Sequence, residues 1–122
     1  MITLKLPYPP SVNTYWLTSG KRRYISKRGM EFKAAVVEIC QSVPGFGAAA
    51  VEVAVLFHPR DKRIMDLDNS LKAIGDSLQD AGMFEDDSQI WKWTIERGEK
   101  IKGGGCTVVI KHYNPNACAV AC

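Results

Sequence analysis

Residues 2–6 (ITLKL) and 51–58 (VEVAVLFH) alternate apolar with polar or small side chains, the period of a strand with one face in a core. In the second run Val51, Val53, Val55 and Phe57 share a face, and Ala54 and Leu56 suggest partial cover on the other. Residues 89–96 (QIWKWTIE) alternate as well and predict a strand with Trp91, Trp93 and Ile95 on one side. A last strand is expected over 106–112 (CTVVIKH), after a turn at Gly103–Gly105. The period changes to helical twice. Ser26 is placed as the N-cap of a helix reaching about Ser42, with Phe32, Val36, Ile39 and Cys40 on its face and Pro44, Gly45 and Gly47 ending it. A second helix is expected from about Asn69 to Ala81, its stripe Leu67, Leu71, Ile74 and Leu78, with Gly82 just past its end. Between the first strand and the first helix lies PYPPSVN, whose prolines exclude helix and central strand. A loose hairpin follows, in which Tyr15, Trp16, Tyr24 and Ile25 flank a Ser-Gly turn. This order predicts an α+β two-layer domain with a mixed sheet and two main helices.

The 122-residue length fits one domain, and 46% hydrophobic with 24% charged residues is ordinary for a globular protein. The expected division is a domain over 1–113 and a flexible tail over 114–122. No apolar run is long enough to span a membrane, and MITLKLPYPP lacks the layout of a signal peptide, so cytoplasmic residence is expected. The four cysteines form no CxxC pair, which argues against zinc. Cys40 reads as a core residue, and Cys118 and Cys122 as free thiols.

Net charge is only +3, but it is unevenly distributed. Lys21, Arg22, Arg23, Lys27 and Arg28 cluster, as do Arg60, Lys62 and Arg63, and Arg97, Lys100 and Lys102. The acids concentrate at Asp66, Asp68, Asp76, Asp80, Glu85, Asp86 and Asp87. An acidic centre in basic surroundings suits a metal-dependent nuclease, in which bases hold phosphate and acids hold metal. A solvated surface of mixed charge is the plain alternative.

The stretch MDLDNSLK sharpens the choice. Hard divalent cations take oxygen ligands, and clustered carboxylates repel one another without a cation. Asp66 and Asp68, two apart, can point the same way, with Asp68 also able to cap the second helix. Lys72 lies one turn beyond Asp68 on the same face, placed to neutralise a phosphate oxygen or orient an attacking water. Asp76 continues that face, and Asn69 can bond the loop backbone or a metal-bound water. A calcium loop is excluded because Leu71 and Ser77 stand where Gly and Glu are required. The competing assignment makes Asp68 only a cap and Asp66 only a surface acid.

The chain resembles the RusA-type Holliday junction resolvases of bacteria and their phages over about residues 2–112. LPYPPSVN (6–13) is similar to the family's Leu-Pro-aromatic-Pro-Pro-Ser-x-Asn opening, FHPRDKR to its strand-proline-basic run, and DLDNSLK to its D-x-D-N-x-x-K. GDSLQDAGMFEDDSQI and an aromatic-rich strand follow in the same order. The resemblance implies metal ligands at Asp66, Asp68 and Asp87, a catalytic lysine at Lys72, and Mg²⁺ as cofactor. It also implies a homodimer that binds a four-way DNA junction and nicks two strands of like polarity. Met65 departs from members that carry Arg before the first Asp, a role Arg63 can take over, and the tail after Tyr113 has no counterpart.

DNA contacts are expected from Lys21, Arg22, Arg23, Arg60, Lys62 and Arg63. Tyr8, Tyr15 and Trp16 are candidates for stacking on unpaired bases, and Trp91 and Trp93 for core or dimer interface. Asp86 is the neighbouring candidate if the register of Asp87 is off by one; otherwise it lies on the opposite side of an extended chain. A helix over 69–81 is roughly 20 Å long, so Asp87 returns to Asp68 only if the chain reverses at Gly82. Otherwise Asp87 serves the other subunit. Two further functions stay open: a Mg²⁺-dependent nuclease for other branched DNA, and a junction-binding protein that does not cut.

Overall fold

The computed structural model describes residues 1–11, 15–61 and 70–114. Asp66, Asp68, Asn69, Lys62, Arg63, Leu67 and the tail cysteines lie outside them.

A four-stranded mixed sheet forms one layer. Its strands are β1 (Ile2–Leu6), β4 (Val51–His58), β5 (Ile90–Arg97) and β6 (Gly105–His112), in the order β1-β6-β4-β5. β6 runs antiparallel to both β1 and β4, whereas β5 runs parallel to β4. A parallel pair needs a crossover. Here the crossover contains helix α2 (Leu71–Asp80) and a short 3₁₀ turn over Asp87–Gln89. Strands β2 (Trp16–Ser19) and β3 (Arg22–Ile25) form a separate hairpin, and α1 (Lys27–Ile39) follows it.

The sequence alternation becomes the two faces of the sheet. Val53, Val55 and Phe57 stand opposite Ile110, Val108 and Cys106, and all six are buried. Phe32, Val36 and Cys40 of α1, and Ala73, Ile74 and Leu78 of α2, complete that core with Met83 and Phe84. Fully burying each Val, Leu, Ile, Phe or Met among them contributes about 1.5–3 kcal/mol. On the other face Glu52 lies between Lys111 at 2.8 Å and Lys92 at 3.9 Å.

Two expectations are corrected. Helix α1 stops at Ile39 rather than Ser42, and Ile39 is 37% exposed, so the buried face is Phe32, Val36 and Cys40. Helix α2 is described from Leu71, with Ser70 preceding it, and the expected cap Asp68 lies outside the described residues. Trp91, Trp93 and Ile95 do not share a face. Val51 pairs with Ile90 and Glu52 with Lys92, which leaves Trp91 as the extra residue of a bulge. Trp91 is 67% exposed and lies against the Tyr113 ring. Ile90, Trp93 and Ile95 pack on the core instead.

The Ser26 cap is as expected: its hydroxyl accepts from the Gly29 amide at 3.0 Å. Cys40 is a buried free thiol, as is Cys106, whose apolar surroundings push its pKa up to about 12. Among the described residues no helix is long and apolar enough to cross a membrane.

Candidate active site

Helix α2 ends in a Schellman motif. Gly82 adopts φ +81°, its amide bonds the Gln79 carbonyl at 3.0 Å, and the Met83 amide bonds the Leu78 carbonyl at 3.0 Å. That reversal sends the chain back along the helix, with Met83 and Phe84 buried beneath it. Hydrogen bonds fasten the return. The Asp87 amide donates to Gln79 Oε1 at 3.2 Å, and Phe46 and Met83 bond through their backbones at 2.8 Å.

The next residues are held by a capping box that spells D-x-x-Q in the sequence. Asp86 is its N-cap and accepts from the Ser88 amide and hydroxyl. Gln89 Oε1 accepts from the Glu85 and Asp86 amides, each at 2.8 Å. Gln89 Nε2 donates to the carbonyls of Gly47 at 2.7 Å and Ala49 at 2.8 Å. Asp86 therefore has its carboxylate engaged in the turn, and Ser88 holds it below the ordinary Asp range. The difference between Asp86 and Asp87 arises from this turn, not from the two sides of an extended chain.

Asp87, the first residue of the turn, faces a cavity of about 270 Å³ with Leu71, Lys72, Gly75, Asp76 and Trp93. An acid from the end of the crossover thus meets a lysine from the first turn of α2 within one chain. Lys72 Nζ lies 3.7 Å from Asp76 Oδ1, one helical turn on. Asp87 forms no ion pair with a described cation, so its oxygens are available to a ligand in the cavity.

Tyr15 was not legible as a support behind this wall. Its side chain is fully buried and its hydroxyl donates to Asp76 Oδ2 at 3.2 Å. Burial first, and then the adjacent Asp76 charge, raise its pKa. A buried ring cannot stack on DNA bases, so that expectation is corrected for Tyr15. Sixty-one positions separate Tyr15 from Asp76, and no local pattern joins them. The Asp86–Gln89 box, by contrast, has a sequence signature that the strand pattern over 89–96 obscured.

Among the described residues no three metal-ligating side chains converge. Asp66 and Asp68, two of the expected ligands, are outside those residues, so their geometry relative to Asp87 is not described. The donor chemistry nonetheless fits a hard cation: Asp87 offers free carboxylate oxygens, and no soft ligand lines the cavity.

Of the expected DNA contacts, Lys21 sits in the hairpin turn and Arg22 and Arg23 on β3, all three exposed. The Arg23 guanidinium lies 4.4 Å from the centre of the Trp16 ring, and Arg60 lies 4.6 Å from that of Tyr8. Tyr8 also packs against Phe57, its ring 5.4 Å away.

The family model for Endodeoxyribonuclease RusA matches residues 7–111. A crossover junction endodeoxyribonuclease of Enterobacteria phage HK97 is 41% identical over 101 residues, covering 81% of this chain and 84% of that protein. One from Enterobacteria phage 82 is 34% identical over 109 residues, covering 88% and 91%. One from Escherichia coli K12 is 32% identical over 110 residues, covering 88% and 92%. With a family match across most of its length and the Asp87–Lys72 cavity inside the matched region, this chain belongs to the RusA family of endodeoxyribonucleases.

Proposed function

We propose that this chain resolves Holliday junctions in the cytoplasm as a homodimer, each subunit nicking one of two strands of like polarity with Mg²⁺ bound by Asp66, Asp68 and Asp87. Family membership supports the endonuclease activity and the branched DNA substrate. The single observation that supports the residue assignment is the meeting of Asp87 and Lys72 in one cavity of one chain.

When bound, the cation supplies a Lewis acid for the scissile phosphate and a water of lowered pKa. The chain's own groups do the rest. Three carboxylates give a hard oxygen set of the right charge for such an ion. Lys72 directs its ammonium at the charge that develops on the phosphate as it is attacked. Asp76 sets the position of that ammonium, and the Tyr15 hydroxyl in turn fixes Asp76 from the protein interior. In-line attack by water expels the 3′ oxygen, leaving 5′-phosphate and 3′-hydroxyl ends that a ligase can join.

The test is nicking of a synthetic four-way junction across a Mg²⁺ titration. Wild type is expected to rise from zero. Asp66→Asn, Asp68→Asn and Asp87→Asn are expected to bind the junction as well or better, because each removes a charge that repels phosphate, yet to leave it uncut. Full nicking by any of them at saturating Mg²⁺ would refute the ligand assignment.

A further inference from the structure

We infer that the β2–β3 hairpin presents Tyr24, backed by Leu17, to an unstacked base at the branch point of the junction; this rests on the resolvase reading above. The pairing Leu17↔Tyr24 and Ser19↔Arg22 puts those four residues on one face of the hairpin, because directly opposed residues share a side. The other face carries Trp16 and Ile25, which pack on the core, and Arg23, which covers Trp16. The first face has no such support. Leu17 is 40% exposed and Tyr24 41% exposed, and Ser19, Arg22 and Tyr24 line an open hollow of about 370 Å³.

An exposed ring beside an apolar side chain and a guanidinium is suited to one class of occupant. A base has an aromatic face for Tyr24, and its phosphate has a charge for Arg22 and for Lys21 in the turn. A paired, stacked base offers only its edge, whereas a branch point offers faces. Charge complementarity favours DNA over a protein partner here, since the three tip residues Lys21, Arg22 and Arg23 are all cationic.

The hairpin is also rooted where such a contact would matter. Its first strand begins at the residue after Tyr15, whose hydroxyl holds Asp76 in the cavity wall. Its base is closed by the Ser26 amide on the Tyr15 carbonyl at 2.8 Å. Gly29 lets α1 approach, for a Cβ there would lie 2.7 Å from Ile25 and 2.9 Å from Tyr15. Four residues per strand reach only about 13 Å. The hairpin and the Lys72 cavity are joined through Tyr15, so a base held on Tyr24 would tie the cut to the crossover.

Affinity for a four-way junction and for a linear duplex of the same sequence tests this. Tyr24→Ala is expected to weaken junction binding about tenfold or more and to leave duplex binding unchanged. Tyr24→Phe should keep wild-type preference, and Leu17→Ala should lose part of it. Replacing Lys21, Arg22 and Arg23 together by Ala should instead weaken both DNAs and flatten the salt dependence of both. A halogenated pyrimidine at the branch point should photocrosslink to Tyr24. Equal loss on both DNAs for Tyr24→Ala, a Phe variant as weak as Ala, or crosslinks confined to the arms would each overturn the inference while leaving the resolvase reading intact. A wild type that neither prefers nor cuts the junction would overturn both.

Discussion

Asp86 and Asp87 are chemically identical and adjacent, yet the fold gives them different work. Asp86 uses its Oδ2 to accept from Ser88 inside a capping box, and Asp87 turns its carboxylate to the cavity shared with Lys72. The hydrogen bonds from Ser88 favour the ionised form of Asp86 and lower its pKa in the folded chain. A carboxyl with a folded pKa below its unfolded value stabilises the fold above the unfolded value, about 3.9, and loses that contribution as pH falls through the lower folded one. Asp86→Asn should therefore melt below wild type at neutral pH, and the gap should close below about pH 4. The same variant should nick junctions nearly as wild type does, whereas Asp87→Asn should not. Thermal melts across that pH range, paired with a nicking assay, check both halves. A gap that persists unchanged in acid would mean that the ionised carboxylate does not carry the cap. At this scale the sequence singles out candidate residues but not how they are held. D-x-D-N-x-x-K and D-D are visible as text; that Tyr15 steadies Asp76 is not, because the contact spans the fold.

Strands and the Ser26 cap were legible because their signals are local: a period of two, and a hydroxyl before a helical face. What escaped were departures from regularity. The bulge at Trp91 needs the partner strand to define it, so alternation alone assigned Trp91 to the wrong face. Helix α1 stops at Ile39, whose side chain is exposed, although its apolar period runs on. The Schellman turn at Gly82 matters most for the site, because it returns Asp87 to the start of the helix. Gly82→Ala meets no neighbouring atom, so its cost is conformational: about 1–2 kcal/mol for holding an L-residue at positive φ. Gly75 is the contrasting case. It lies within α2, and a Cβ there would sit 3.6 Å from the Trp93 ring, an ordinary contact. Gly75→Ala should stabilise by up to about 1 kcal/mol through helix propensity. Urea denaturation should thus show opposite signs for the same chemical change at two glycines seven residues apart. Gly82→Ala should also lose nicking beyond its loss of stability, since it loosens the return of Asp87. Equal and unchanged nicking in both would show that the reversal does not position the acid.

At the scale of the whole molecule, one Asp87–Lys72 cavity in each chain answers only half of a task that needs two cuts. Asp87 and Lys72 meet within the same chain, so each subunit of the proposed dimer would carry its own lysine and its own acid from the crossover. Resolving a four-way junction takes two cuts, and a two-fold dimer supplies two such cavities most simply. On the proposed assignment, Lys72→Ala removes one charge from a large phosphate footprint, a small fraction of binding, but a large part of the field at the cleaved phosphate. Its homodimer should bind junctions nearly as wild type and nick them far more slowly. Lys72→Arg should restore only part of the rate, since a planar guanidinium places its charge differently and reaches Asp76 by another geometry. The decisive protein is the mixed dimer of one wild-type and one Lys72→Ala subunit. If each subunit cuts with its own groups, that dimer should nick one strand at close to the wild-type rate and stall before the second. If Asp87 instead completed the partner's site, mixing a Lys72→Ala subunit with an Asp87→Asn subunit would gather both lesions in one cavity and leave the other intact, so one cut would survive. With both groups used in cis, each cavity of that mixed dimer carries a lesion and neither strand should be cut. Strand-specific end labelling reads the outcome directly, and a surviving first nick in the Lys72→Ala/Asp87→Asn pair would move Asp87 to the partner's site.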